Sequence, residues 1–400
     1  MKKLYMLLYT ILSITILVGC DSNQDDNQFI DGIDLTYKIV DTNQTDFYSD
    51  ISIIIEPSQD DSYYGQDANY IGNQASYTDN LDGTISDDVT GLMWAQDMGE
   101  KMTYQEAFTY AASSTLGGYD DWRVPSIKQL YSLIQFDGRV NGETAIDLFI
   151  DTDYFNQPLR DTTISEREID AQTWSSTMYV GLTMNGDETV FGINFIDGRI
   201  KGYPTFDKAA QTSNEMYIRL VRGNSAYGEN IYQDNGDGTI TDLATGLTWQ
   251  QSDSVDTYDW EGALSYAENL EYAGYDDWRL PNAKELQSIV DYNKSLQTTN
   301  FAAIDDIFES TSIMDVDGNL NYGYYWTSTT HLDGINPYAS AVYIAFGEAQ
   351  GVMNDTLMDV HGAGAQRSDP KSGDYQLYPL AFGPQGDIRY VYNLVRCVRG

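Results

Sequence analysis

Gly118-Tyr119-Asp120-Asp121-Trp122-Arg123-Val124-Pro125 returns later in the chain as Gly274-Tyr275-Asp276-Asp277-Trp278-Arg279-Leu280-Pro281. Upstream of it, Thr90-Gly91-Leu92-Met93-Trp94 returns as Thr245-Gly246-Leu247-Thr248-Trp249. Downstream, Trp174-Ser175-Ser176-Thr177 returns as Trp326-Thr327-Ser328-Thr329, and Ile218-Arg219-Leu220-Val221-Arg222-Gly223 as Val395-Arg396-Cys397-Val398-Arg399-Gly400. From Trp94 to Trp122 is 28 residues and from Trp249 to Trp278 is 29. Blocks that recur in one order at matching spacings mean a duplicated domain.

Each copy reads as the same run of elements. Asp82-Gly83 and Asp237-Gly238, set between short β-prone runs, signal a hairpin whose turn needs positive φ. The second of these turns also mimics part of a calcium loop. With Gly238 at its sixth position, however, Gln233 and Ala244 stand where acidic ligands belong, so the turn is preferred. Thr103 with Glu106 forms a capping box, and Asp259 opens the matching helix. A second helix follows Pro125 or Pro281, with Ser126…Gln129 and Asn282…Glu285 as caps. Leu130, Leu133 and Ile134 match Leu286, Ile289 and Val290, one apolar stripe that must face a core. Strands follow at 179–182, 189–195 and 216–221 in the first copy, and at 341–346 and 390–398 in the second. A hairpin, two helices and then an antiparallel sheet is an α+β pattern.

The N-terminus has its own logic. Two lysines, an apolar run from Leu4 to Val18 and then Gly19-Cys20 make an export signal, and Leu17-Val18-Gly19-Cys20 resembles a bacterial lipobox with Cys20 as the lipidated residue. This organisation gives a signal peptide at 1–20, a polar tether at 21–78, a first repeat at 79–224 and a second repeat at 230–400. The formal net charge is −39, and cleavage after Gly19 removes two lysines and no acid, leaving −41. Such a field disfavours nucleic acid and sulfated polysaccharide as partners. Cys397 is the one thiol left beside Cys20, so an intrachain disulfide is not expected.

The blocks as a set resemble the C-terminal domain of the Legionella collagen-like adhesin, here in two tandem copies. That resemblance implies a relation to the C-type-lectin-like fold and a recognition module of the bacterial envelope, facing the periplasm or the outside. The Glu-Pro-Asn, Gln-Pro-Asp and Trp-Asn-Asp triplets of calcium-dependent sugar binders are absent, so no metal or other cofactor is expected. A branch of the wider fold that oxidises a sulfatase cysteine uses active-site cysteines, whereas Cys397 stands alone in the closing strand.

Functional residues are then sought in two places. Trp122-Arg123 and Trp278-Arg279, with Trp94, Trp174 and Trp249, are kept in both copies and read as scaffold. The differences between copies point elsewhere. Trp174 to Arg222 spans 48 residues and Trp326 to Arg399 spans 73, and the excess falls mainly in a stretch expected to be a loop from His361 to Asp374 and in the Pro- and Gly-bearing stretch that follows to Gly386. Trp326, His361, Arg367, Asp369, Lys371 and Asp374 are therefore the expected ligand contacts. No catalytic residue is expected: the chain has His331 and His361 but no metal spacing and no nucleophile elbow. The expectation is a lipid-anchored adhesion or carbohydrate-recognition protein. Its rivals are an envelope scaffold that binds protein partners through tyrosine-rich surfaces and, more remotely, a glycan hydrolase.

Overall fold

The computed structural model describes residues 35–160 and 167–400, so Cys20 and the signal segment lie outside the described residues. In the first repeat a meander of β1 (Tyr77–Asp79), β2 (Thr84–Asp87) and β3 (Leu92–Ala95) leads to α1 (Tyr104–Ser113) and α2 (Ile127–Tyr131). Then come β4 (Thr173–Met178), β5 (Thr189–Asn194), β6 (Arg199–Pro204) and the closing strand β7 (Val221–Gly223). The second repeat runs β8 (Tyr232–Asp234), β9 (Thr239–Asp242), β10 (Thr248–Gln250), α3 (Trp260–Glu268) and α4 (Ala283–Ser288). It ends with β11 (Tyr324–His331), β12 (Ser340–Ala345), β13 (Gln366–Pro370) and β14 (Val398–Arg399). Antiparallel sheets dominate and the helices are few and short, as the α+β reading anticipates.

Local rules account for these elements. Gly83 and Gly238 take φ of +86° and +90°, and the preceding Asp82 and Asp237 each accept the N–H and hydroxyl of the threonine two residues on. The carboxylates of the calcium-like stretch thus cap their own turns. Thr103, Ser126 and Asn282 form capping boxes with Glu106, Gln129 and Glu285, and Asp259 accepts the Gly262 N–H. The six apolar residues expected to form helical stripes are buried, but only Leu130 and Leu286 lie within α2 and α4; Leu133, Ile134, Ile289 and Val290 follow the helix ends. Three strands fall elsewhere than expected: 179–182 is not a strand, because β4 uses the Trp174 block itself, 216–221 is extended only at its ends, in Glu215–Met216 and β7, and the 390–398 strand shrinks to β14.

Each meander is closed by its own repeat's terminal strand, β7 on β3 and β14 on β10. The larger sheets are not separate. One six-stranded sheet runs β11-β12-β13-β6-β5-β4, three strands from each repeat, joined where Ile200 of β6 pairs with Gln366 of β13. This corrects the expectation of two independent modules: residues 34–400 form one compact unit, and one apolar cluster includes Trp94 and Phe191 with Trp249 and Ile344. The physical reason is the edge. A three-stranded sheet alone would leave β6 or β13 with unpaired N–H and C=O groups, and joining the two edges removes both.

A second correction concerns the presumed tether. Tyr37, Val40, Thr42, Gln44, Tyr48 and Asp67 are buried. Gln44 donates to the carbonyls of Phe136 (3.1 Å) and Thr330 (2.9 Å) and accepts the Thr330 N–H (2.8 Å), so it bridges both repeats. Asp67 accepts hydroxyls from Thr42 (2.8 Å) and Thr329. A polar composition fails as a sign of solvation here because the polar groups are buried with partners.

Candidate functional site

The repeated acidic block forms the same clamp twice. Arg222 of β7 donates from Nε to Asp121 (2.6 Å) and stacks 3.7 Å from the Tyr119 ring; Arg399 of β14 does the same to Asp277 (2.6 Å) and Tyr275 (3.7 Å). Indole N–H groups end on backbone carbonyls: Trp122 on Leu116, Trp278 on Tyr272, Trp174 on Met102 and Trp326 on Tyr258. Arg279 is bidentate to Glu285 at 2.7 Å in both contacts, whereas Arg123 reaches the Asn224 carbonyl at 3.5 Å. Trp94 and Trp249 are wholly buried, with no indole partner. Two arginines that the sequence reading passed over are Arg219 and Arg396, one from each closing block. Arg219 donates to the carbonyls of Ala95, Gln96 and Asn156, and Arg396 to those of Gln250, Gln251 and Glu309. Their retention in both copies was the available signal.

The stretch from His361 to Asp374 is not a surface loop, and this is a correction. Its centre is β13, an interior strand between β12 and β6. The second repeat also carries a hairpin of Gln350–Met353 and Thr356–Asp359, outside the expected stretch, while the part running to Gly386 enters a hairpin of Leu380–Phe382 and Asp387–Arg389. Trp326, His361, Asp369 and Lys371 are buried, Arg367 nearly so, and Asp374 is exposed. His361 bonds Asp387 through Nε2 (2.9 Å), and Arg367 pairs with the same carboxylate. Burial, with the Arg367 charge, lowers the His361 pKa to about 4. Asp369 accepts the Tyr390 N–H and the Asn393 amide, and burial raises its pKa to about 7. These groups bond one another within the second repeat and present little surface to a ligand. Lys371 acts elsewhere, since it donates to the Ser49 carbonyl (3.1 Å) and lies 4.0 Å over the Trp260 ring, which pins the N-terminal segment.

The segment pinned in this way helps to wall an open cleft of about 190 Å³. Three separate stretches build it. Residues 44–53 supply Asp46, Tyr48 and Ile53; the hairpin of Arg139–Asn141 and Thr144–Asp147 supplies Arg139 and Asp147, with Asp137 just before it; the turn after β11 supplies Pro337 and Tyr338. Tyr48 and Tyr338 stack with centroids 5.6 Å apart and planes 18° from parallel. The second and third stretches are stitched across the repeats, Val140 N–H to the Leu332 carbonyl (3.0 Å) and Gly334 N–H to the Val140 carbonyl (3.0 Å). Arg139 Nε is buried without a partner, and Asp137 accepts from Asn43 (2.7 Å). Aromatic rings beside carboxylates and a guanidinium can stack on an apolar face and bond hydroxyl or amino groups at its rim. Sequence reasoning missed this cleft because its three parts lie far apart along the chain.

The fold and cleft define an internally duplicated α+β protein whose halves share one sheet and frame a surface recess. Residues 83–222 and 238–360 match the Lcl C-terminal domain model, and the chain belongs to that family of adhesin-associated bacterial surface domains, twice over. Searches of curated proteins and of solved structures gave no match. Among the described residues no helix is long and apolar enough to cross a membrane.

Proposed function

We propose that this is an adhesin-type recognition protein of the bacterial envelope, anchored by lipid at Cys20, which binds carbohydrate in the cleft framed by Tyr48 and Tyr338. The membership of both repeats in an adhesin-associated family supports the general role. One observation carries the ligand class: a stacked tyrosine pair and the carboxylates of Asp46, Asp137 and Asp147 line one open recess. The relation to the C-type-lectin-like fold that the family resemblance implies would fit such a role. The test is retention of the mature chain on a broad glycan array, compared with Tyr338→Ala. Selective retention lost in the variant supports the reading; equal or negligible retention by both overturns it. For the anchor, Cys20→Ala is expected to leave the membrane fraction, and unchanged membrane retention refutes lipidation.

A second reading has its own observation. Ile51 is 72% and Ile335 94% exposed, and Asn336 bonding the Asp50 carbonyl brings their loops together beside the cleft. Apolar groups on an acidic surface suit a protein partner in an envelope scaffold. Cross-linking in intact cells would then yield one dominant partner, lost in Ile51→Asp/Ile335→Asp.

A further inference from the structure

We propose that two copies of this chain pair edge to edge through the strand Leu380–Phe382 and form a twofold-symmetric dimer. This goes beyond the ligand-binding role and does not depend on it. Leu380–Phe382 is the outer strand of a four-stranded sheet ordered Thr356–Asp359, Gln350–Met353, Asp387–Arg389, Leu380–Phe382. Its inner side pairs with Asp387–Arg389, Leu380 opposite Arg389 and Phe382 opposite Asp387. Its outer side pairs with no strand among the described residues. A strand carries backbone donors and acceptors on both sides, so the outer set faces solvent here. The two repeats are joined by the same kind of contact, between β6 and β13, and this further edge is left open.

Two properties make a second copy the occupant. The first is charge. With 61 acidic residues against 22 basic ones, most of the surface repels another copy of the chain. From Tyr375 to Gly386, however, twelve consecutive residues include no Asp, Glu, Lys, Arg or His. Within that stretch Tyr375, Leu377, Leu380 and Phe382 are 48% to 65% exposed. Exposed apolar groups elsewhere adjoin acids, as Ile55 adjoins Glu56 and Met314 adjoins Asp315. Two chains can therefore meet at this edge without setting carboxylates face to face, whereas a basic partner would be drawn to the acidic surface elsewhere. The second property is self-complementarity. About a twofold axis between the two Ala381 residues the strands run antiparallel, with Leu380 of one copy opposite Phe382 of the other. Both side chains lie on one face of the strand, so each leucine packs against a ring across the junction. Arg389 already lies 3.5 Å from the Phe382 ring and keeps that contact.

The ordinary alternative is an edge that is simply protected, being short and bounded by Pro379 and Pro384. The prolines lack an N–H and stop the strand from lengthening, yet they leave three residues to pair. They also limit the association, since a short edge joined about a twofold axis closes a pair and does not propagate. Protection by charge is missing.

The test is sedimentation equilibrium of the full mature chain carrying Cys20→Ala, so that no lipid drives association. The expected result is a reversible monomer–dimer equilibrium that tightens several-fold between about 50 and 500 mM salt, because screening weakens the mutual repulsion and leaves apolar contact intact. Leu380→Asp/Phe382→Asp, at two exposed positions, should be monomeric with an unchanged near-UV circular dichroism spectrum. Met314→Asp, exposed on a different hairpin, should keep the dimer. Ala381→Cys should form an intermolecular disulfide on mild oxidation, since opposed residues of an antiparallel pair lie about 5 Å apart. Cys397 is buried and does not compete. A chain that is monomeric at every concentration overturns the proposal. So does a dimer that survives Leu380→Asp/Phe382→Asp, that added salt dissociates, or that gives no cross-link through position 381. A monomer that binds phosphatidylcholine vesicles through Leu380 and Phe382 assigns the edge to a bilayer instead and equally overturns it.

Discussion

Lys128 and Lys284, the equivalent lysines of the two repeats, each donate across the molecule to the other repeat. Lys128 Nζ reaches the Ser288 carbonyl at 2.6 Å, and Lys284 Nζ reaches the Ser132 carbonyl at 2.9 Å. Each also holds the chain that precedes a repeat: Lys284 bonds the Asp41 carbonyl (2.9 Å), and Lys128 bonds the Gly228 carbonyl (3.1 Å) and the Asn230 side chain (2.8 Å). The exchange is reciprocal, as expected of two copies related by an approximate twofold axis. Both ammonium groups rest on neutral acceptors, so burial dominates and lowers both pKa values to about 8.

A pH signature follows from those two lysines. An unfolded lysine keeps its proton to about 10.4, whereas the folded pair sheds it near 8. Below 8 both states are protonated and the pair gives no slope. Between the two values the unfolded chain binds more protons, so stability rises with pH. Urea midpoints of the wild type are expected to climb from about pH 7.5 to about 9.5, and a Lys128→Met/Lys284→Met variant should lose a large part of that rise. A wild-type profile that falls across this window contradicts the assignment.

Buried carboxylates act in a lower window. Desolvation raises the Asp67 and Asp359 pKa values to about 7, above the ordinary 3.8. Between these limits the folded state holds the extra protons, so this part of the stability is present in acid and lost as pH rises through about 7. Asp359→Asn keeps one oxygen to accept the Gly362 N–H and sets an uncharged amide beside the Tyr179 hydroxyl. The variant is expected to melt above wild type at about pH 8 and close to it at about pH 4.5. Thermal melts at the two pH values decide.

The shared sheet predicts cooperativity. Arg396 is buried in the second repeat, with its guanidinium on three carbonyls and over the Phe308 ring. Arg396→Met should cost about 3 kcal/mol through unpaired carbonyls, and Arg396→Lys should recover little, because an ammonium cannot fork across them. Both repeats should still unfold in a single transition, followed by tryptophan fluorescence and far-UV circular dichroism together. A residue 79–224 fragment should not fold stably, since it would expose the β6 edge and half a core.

Lys371 provides a test of positioning. Its Nζ holds the Ser49 carbonyl, next to Tyr48 in the cleft wall. Lys371→Met should weaken glycan binding by several-fold without a ligand contact of its own, and Tyr48 should become more accessible to solvent-phase quenchers. Unchanged binding and unchanged quenching would show that the wall stands without the lysine.

Much of the local architecture was legible in the sequence. The Asp-Gly turns and the caps at Thr103, Ser126, Asp259 and Asn282 follow rules that act over a few residues, whereas the apolar stripes expected of the second helices run past their ends at Tyr131 and Ser288. The strand at Gln366–Pro370 reads as loop because its charged and small residues lack alternating hydrophobicity. Its Arg367 and Asp369 face ionic partners and Asn393, not an apolar layer. Gln44 and Asp67 read as solvated tether residues because composition cannot reveal partners 286 and 262 positions away.

The sequence by itself determined that the protein is a duplication, which hairpins and helices each copy makes, and which family both copies join. Only the tertiary structure decided that the copies fuse through β6 and β13, that residues 35–75 are structural, and that three distant stretches frame a cleft. The division has one cause. Turns, caps and amphipathic stripes are fixed by neighbours along the chain, whereas edge pairing, burial of polar groups and the closure of a recess depend on which surfaces meet, and no short-range pattern encodes that meeting.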